Sequence, residues 1–116
     1  SEENTYVEAF WKWWPELYPK LKVFRITGGE PLLSKETFRT LDWIIANPNP
    51  ELELAINTNL GVDQDLIDKF FDKCQQIMID GKVKQLKIFT SCDTWGQQAE
   101  YIRVGLDYKK WYYKNN

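Results

Sequence analysis

The sequence predicts an α/β fold of the order α-(βα)3, with three parallel strands carrying their helices on one face. Two observations carry that prediction. Segments whose apolar residues recur at helical spacing alternate with short runs rich in β-branched and aromatic residues, the pattern of βα units with right-handed crossovers and a strand order that follows the chain. Within the three strand-like runs, the residues also split by parity. Phe24 and Ile26, Leu54 and Ile56, and Leu86 and Ile88 make apolar pairs. The alternate positions offer Arg25 and Thr27, Ala55, Asn57 and Asn59, and Lys87, Phe89, Ser91 and Asp93. Successive strand residues point to opposite faces, so one face packs under helices and the other turns polar toward the carboxyl ends. A barrel with a polar ligand in its lumen and an open sheet with one wet face both fit.

Each element has its own local reason. Residues 3 to 18 place Tyr6, Phe10, Trp13 (or Trp14) and Leu17 at helical spacing, with Pro19 limiting the helix. The cluster Phe10-Trp11-Lys12-Trp13-Trp14 is too wide for one buried stripe, so at least one indole is expected outside the core. Leu21 to Thr27 reads as the first strand. Ser34 is placed to cap a helix carrying Phe38, Leu41, Ile44 and Ile45, and Asn47-Pro48-Asn49-Pro50 ends it. Leu52 to Asn57 is the next strand. Asp63 is placed to cap a helix whose stripe is Leu66, Ile67, Phe70, Phe71, Cys74 and Ile77, and Gly81 sits where such a helix ends in a left-handed residue. Val83 to Thr90 is the third strand, and Gln97 to about Tyr113 is read as a fourth helix. Residues 1–116 form one unit, from first helix to fourth.

Composition narrows the function classes. The chain has 116 residues, 43% apolar and 28% charged, enough for one compact domain but under half of a barrel of roughly 250 residues. A net charge of −2 gives no electrostatic case for nucleic acid. No apolar run approaches the roughly 20 residues that span a bilayer, so no membrane partner is expected. Two cysteines are too few for a disulfide framework, which points to a reducing, cytoplasmic setting. The absence of histidine removes the commonest general base and metal ligand. The chain begins at Ser1 and enters helical pattern almost at once, which reads as a segment of a longer protein.

The most informative stretch is Phe24-Arg25-Ile26-Thr27-Gly28-Gly29-Glu30-Pro31-Leu32-Leu33. A strand runs into two glycines that permit a tight turn and close approach of a ligand, then a carboxylate at a strand tip, then a proline that stops the ladder. A fixed carboxylate there suits a cationic group such as the amino group of an amino-acid-like ligand. The string resembles the GGEP motif of radical S-adenosylmethionine (SAM) enzymes. Ala55-Ile56-Asn57-Thr58-Asn59-Leu60-Gly61, Phe89-Thr90-Ser91-Cys92-Asp93 and Tyr101-Ile102-Arg103-Val104-Gly105 follow in the family's order. The nearest likeness is to radical SAM proteins containing a twitch domain.

The resemblance implies a segment of a partial (βα)6 TIM-like barrel and a set of cofactor-binding residues. It implies that Glu30 holds the SAM amino group while Gly28 and Gly29 approach the methionine moiety. It gives Ser91 and Asp93 the carboxylate or ribose hydroxyls, and Arg103 the carboxylate through its bidentate fork. Asn59, with Asn57, is placed to line the SAM or substrate cavity. Each residue also has a plain local role: Glu30 as a helix-start acid, Ser91 and Asp93 as turn or cap residues, Arg103 as a surface cation, the asparagines as turn formers. Cys74 reads as core, and Cys92 as packed rather than reactive.

One departure is decisive for chemistry. The family holds a [4Fe-4S] cluster by three thiolates in a CxxxCxxC loop, and the two cysteines of this chain cannot supply them. The resemblance places that loop upstream of Ser1, in a parent enzyme that cleaves SAM reductively to a 5′-deoxyadenosyl radical acting on an unknown substrate. The 116-residue segment alone is expected to be inactive, with no catalytic or metal-binding residue of its own and with sheet edges open to self-association. The rival readings are a cluster-less α/β domain that binds a nucleotide or protein, and a flavodoxin-like module whose glycine loop takes phosphate.

Overall fold

The computed structural model describes residues 2–90 and 101–103. Its order is α1 (Glu2–Leu17), β1 (Val23–Ile26), α2 (Lys35–Ala46), β2 (Asn49–Asn57), α3 (Gln64–Ile79), β3 (Val83–Phe89) and β4 (Tyr101–Arg103). One sheet has the order β1-β2-β3-β4. The first three strands are parallel, with Ile26 beside Ile56 and Ile56 beside Ile88. The chain is therefore α/β, with three parallel strands joined by helical crossovers.

Parity sorts the two faces as the sequence implies. Leu52, Leu54, Ile56, Leu86 and Ile88 are buried in one cluster with Trp14 of α1, Leu41 and Ile44 of α2, and Phe70, Cys74 and Ile77 of α3. Because all three helices reach the same apolar side of the strands, they lie on one face of the sheet. Arg25, Ala55, Asn57, Lys87 and Phe89 occupy the other parity, on the face without helices among the described residues.

Local signals account for most of the ends. The Ser34 hydroxyl accepts from the Glu36 amide at 3.2 Å and caps α2. Gly81, at φ +60°, closes α3: its amide donates to the Met78 carbonyl, and that of Lys82 to the Ile77 carbonyl. Asp63 stands at the N-cap of α3 without a side-chain cap bond, and its backbone carbonyl takes the Leu66 and Ile67 amides instead. On α1 the buried indole is Trp14, fully enclosed, whereas Trp13 is 58% exposed. Phe10, Trp11, Tyr18 and Phe24 surround it with ring centroids 4.8–6.3 Å away.

Two features differ from the sequence expectation. The strand β2 starts at Asn49, inside the Asn-Pro-Asn-Pro stretch read as a terminator. A shift in register between Asn49 and Glu53 accommodates Pro50, which has no amide for the ladder. Asn49 is buried and fills the irregularity: its side-chain amide donates to the Tyr18 and Leu21 carbonyls at 3.1 Å each, and its backbone amide to Lys82 at 2.7 Å.

The second difference corrects the fourth helix at residues 101–103; the rest of the stretch from Gln97 to about Tyr113 lies outside the described residues. Tyr101–Arg103 is a strand antiparallel to β3, with Ile102 beside Ile88 and Arg103 beside Lys87. An aromatic next to Ile fits a pleated surface as readily as a helix stripe, and pairing along β3 decides the outcome. Arg103 is thus on a strand and not one to two turns into a helix.

Burial has a measurable consequence at Tyr18, which is 2% exposed and whose hydroxyl has no partner among the described residues. Desolvation pushes its pKa from 10.0 up to about 12. A phenol held neutral in the fold stabilises it fully below pH 10, and that stability is lost as pH rises from 10 toward 12. Denaturant midpoints measured across this window are expected to fall in the wild type and to flatten in Tyr18→Phe.

Candidate functional site

The tips of β1 and β2 meet through one carboxylate. Chain leaving β1 reverses at Gly28, whose φ of +92° is reached cheaply only by glycine, and enters a single 3-10 turn over Pro31–Leu33. Glu30 caps that turn. Its Oε2 accepts from the Leu32 amide at 2.9 Å and from the Thr58 hydroxyl at 2.7 Å, while Oε1 accepts from the Asn59 amide at 3.1 Å. Thr58 Oγ1 in turn accepts from the Leu60 amide at 3.1 Å. Leu60, buried and at φ +58°, is held by this bond in a left-handed conformation that non-glycine residues seldom adopt.

The charge of Glu30 is not neutralised by this arrangement. All three donors are neutral, and no lysine or arginine among the described residues pairs with it. A carboxylate offers about four acceptor positions, so Oε1 keeps room for a further donor. The site is a half-buried anion, rigidly oriented at a strand tip, that suits an ammonium or another cationic group.

The two glycines differ. A Cβ built on Gly28 or on Gly29 meets nothing within 4 Å, and only Gly28 has a positive φ. Backbone conformation therefore accounts for Gly28, whereas nothing in the packing of the described residues requires glycine at 29. Gly28→Ala is expected to cost about 1 kcal/mol of stability through strain. Gly29→Ala is expected to leave the unfolding midpoint unchanged, so any loss of ligand binding in it reports on occupied space above the turn.

Of the residues chosen from sequence, the structure brings together Gly28, Gly29, Glu30 and Asn59. Ser91 and Asp93 lie outside the described residues, as do Cys92 and Trp95. Arg103 is placed in β4 by its backbone alone. Cys74 is fully buried, its thiol pKa raised by desolvation, which makes it an inert core residue. No group of three or more metal-ligating side chains occurs among the described residues.

Sequence reasoning missed Thr58. It is 3% exposed and orients Glu30 from the neighbouring strand. Counting on from the pairing of Ile26 with Ile56 sets Thr58 level with Gly28, and that register was the available signal.

In comparisons with family models, curated proteins and solved structures, the chain matches none of them.

Proposed function

We propose that this chain is the SAM-holding part of a radical SAM enzyme, a segment of a partial (βα)6 barrel whose strand tips grip the amino-acid end of SAM. The observation that carries the reading is Glu30: a carboxylate fixed by three neutral donors, with no cationic partner among the described residues, beside a glycine that no packing among those residues requires. The SAM amino group is the kind of donor Oε1 would accept. Gly28 and Gly29 leave space for the methionine chain, and Asn59 carries the backbone amide that aims the carboxylate.

SAM supplies the radical chemistry of such enzymes; this chain's contribution is to bind and orient it. Its two cysteines do not fit a [4Fe-4S] cluster, so the thiolates of the proposed parent must lie in other chain and no step is assigned to the cluster here. The antiparallel β4 is a departure from an all-parallel barrel, and the proposal rests on β1 to β3.

Amide chemical shifts of the 116-residue chain, titrated with SAM to millimolar concentration, test the reading. Saturable shifts at Glu30, Asn59 and Leu60 are expected. Their absence in a chain that is otherwise folded overturns it, and shifts at the Gly28 turn with pyrophosphate in place of SAM would favour the phosphate-binding module.

A further inference from the structure

The helix-free face of the sheet carries a second feature that the strand-tip site does not use. Arg25 points to this face from β1, and its guanidinium carbon lies 4.8 Å from the ring centroid of Phe89 on β3. To reach that ring the side chain crosses β2, on a sheet whose strands are about 4.8 Å apart. Ala55, which pairs with Arg25 on one side and with Lys87 on the other, has only a methyl group at the crossing. A shallow groove of about 100 Å³ runs here, lined by Arg25, Glu53, Ala55, Lys87 and Phe89 among others.

Ion pairing separates Arg25 from some of the other cations of the fold. Lys22, Arg39, Lys73, Lys82 and Lys84 each have a carboxylate within ion-pair distance, the last of them Glu53. Arg25 has no such partner among the described residues, although its side chain is directed by a specific aromatic contact. A guanidinium held over an aromatic ring still carries N–H donors in the fork that matches a carboxylate or phosphate. Two positions along β2 on the same face, the Oδ1 of Asn57 is buried without a donor.

We infer that Arg25, braced on Phe89 across Ala55, is the receptor for an oxyanion group, carboxylate or phosphate, of a small molecule bound on the open face of the sheet. That this molecule is the substrate of the enzyme rests on the SAM reading above; the anion receptor itself does not. The groove lies on the sheet whose strand tips hold Glu30, so the two sites would take the two ends of one reaction: a cationic cofactor group at the tips and an anionic substrate group on the face.

The test follows the side-chain Nε–H signal of Arg25 by NMR during separate titrations with succinate, inorganic phosphate and, at matched ionic strength, sodium chloride. Saturable shifts with succinate alone assign a carboxylate, with phosphate alone a phosphate ester, and with both a general oxyanion site. Shifts no larger than with chloride, or equal to those of Arg39, overturn the inference. Arg25→Gln is expected to weaken the oxyanion at least tenfold at the groove amides. Arg25→Lys, which keeps the charge but loses the fork, is expected to fall between and serves if the glutamine variant does not fold. A SAM titration read at the Asn59 amide separates the two claims. SAM shifts without Arg25 shifts overturn the oxyanion receptor alone; Arg25 shifts without SAM shifts overturn the SAM reading and leave the receptor without its assignment to substrate.

Discussion

On the proposed SAM reading, replacing Glu30 by glutamine is expected to lower the affinity for SAM by about 10- to 100-fold, the equivalent of one charge-assisted hydrogen bond of roughly 1.5–3 kcal/mol. The amide keeps one oxygen and gains two N–H donors, so it can still accept from Thr58 or from Asn59 but cannot serve all three donors and attract an ammonium as well. Glu30→Ala removes every bond at once and leaves the Thr58 hydroxyl, buried at 3% exposure, without its acceptor. Thermal unfolding should therefore fall more in the alanine variant than in the glutamine variant, while both lose SAM. Should glutamine bind SAM as tightly as glutamate, the carboxylate is only a clasp between strand tips.

The largest effect on stability is expected at Trp14. Truncation to alanine opens a cavity among Phe10, Trp11, Tyr18 and Phe24 and costs about 3–5 kcal/mol. A domain of this size holds roughly 5–15 kcal/mol in total, so the loss is a large fraction of it. Urea denaturation would show a lower midpoint at an unchanged slope. Trp14→Phe retains an aromatic ring and eliminates a buried indole N–H that has no partner, so less than half of that loss is expected. Near-equal losses in the two variants would mean that the shape of the indole, and not aromatic burial, anchors α1.

The sheet was legible from the sequence because parity is a strict rule on a half-buried strand: Leu54, Ile56, Leu86 and Ile88 had to share a face, and they do. Ser34 and Gly81 were legible because a cap and a left-handed helix end are local chemistry. Trp13 and Trp14 could not be ranked, since adjacent residues on a wide aromatic helix differ only in how the helix rotates against the sheet. Asn49 was opaque for a different reason. Its partners Tyr18, Leu21 and Lys82 are far away in sequence, and proline on both sides argued for a terminator. At the site, Glu30 and the glycines stood out through their motif, whereas Thr58 became visible only once two strands were in register. The 101–103 segment misled because Tyr-Ile-Arg contains nothing that separates a short edge strand from a helix face.

Asn49 ties the start of β2 to the chain before β1, and Glu30 ties the chain after β1 to the chain after β2, with polar bonds that use none of Arg25, Ala55, Asn57 or Phe89 on the helix-free face. Strand alignment is thereby decoupled from the chemistry displayed on that surface. Arg25, Ala55, Asn57 and Phe89 can diverge, or be re-engineered, without loosening that scaffold, so the displayed surface can drift while the clasp at the tips stays constant.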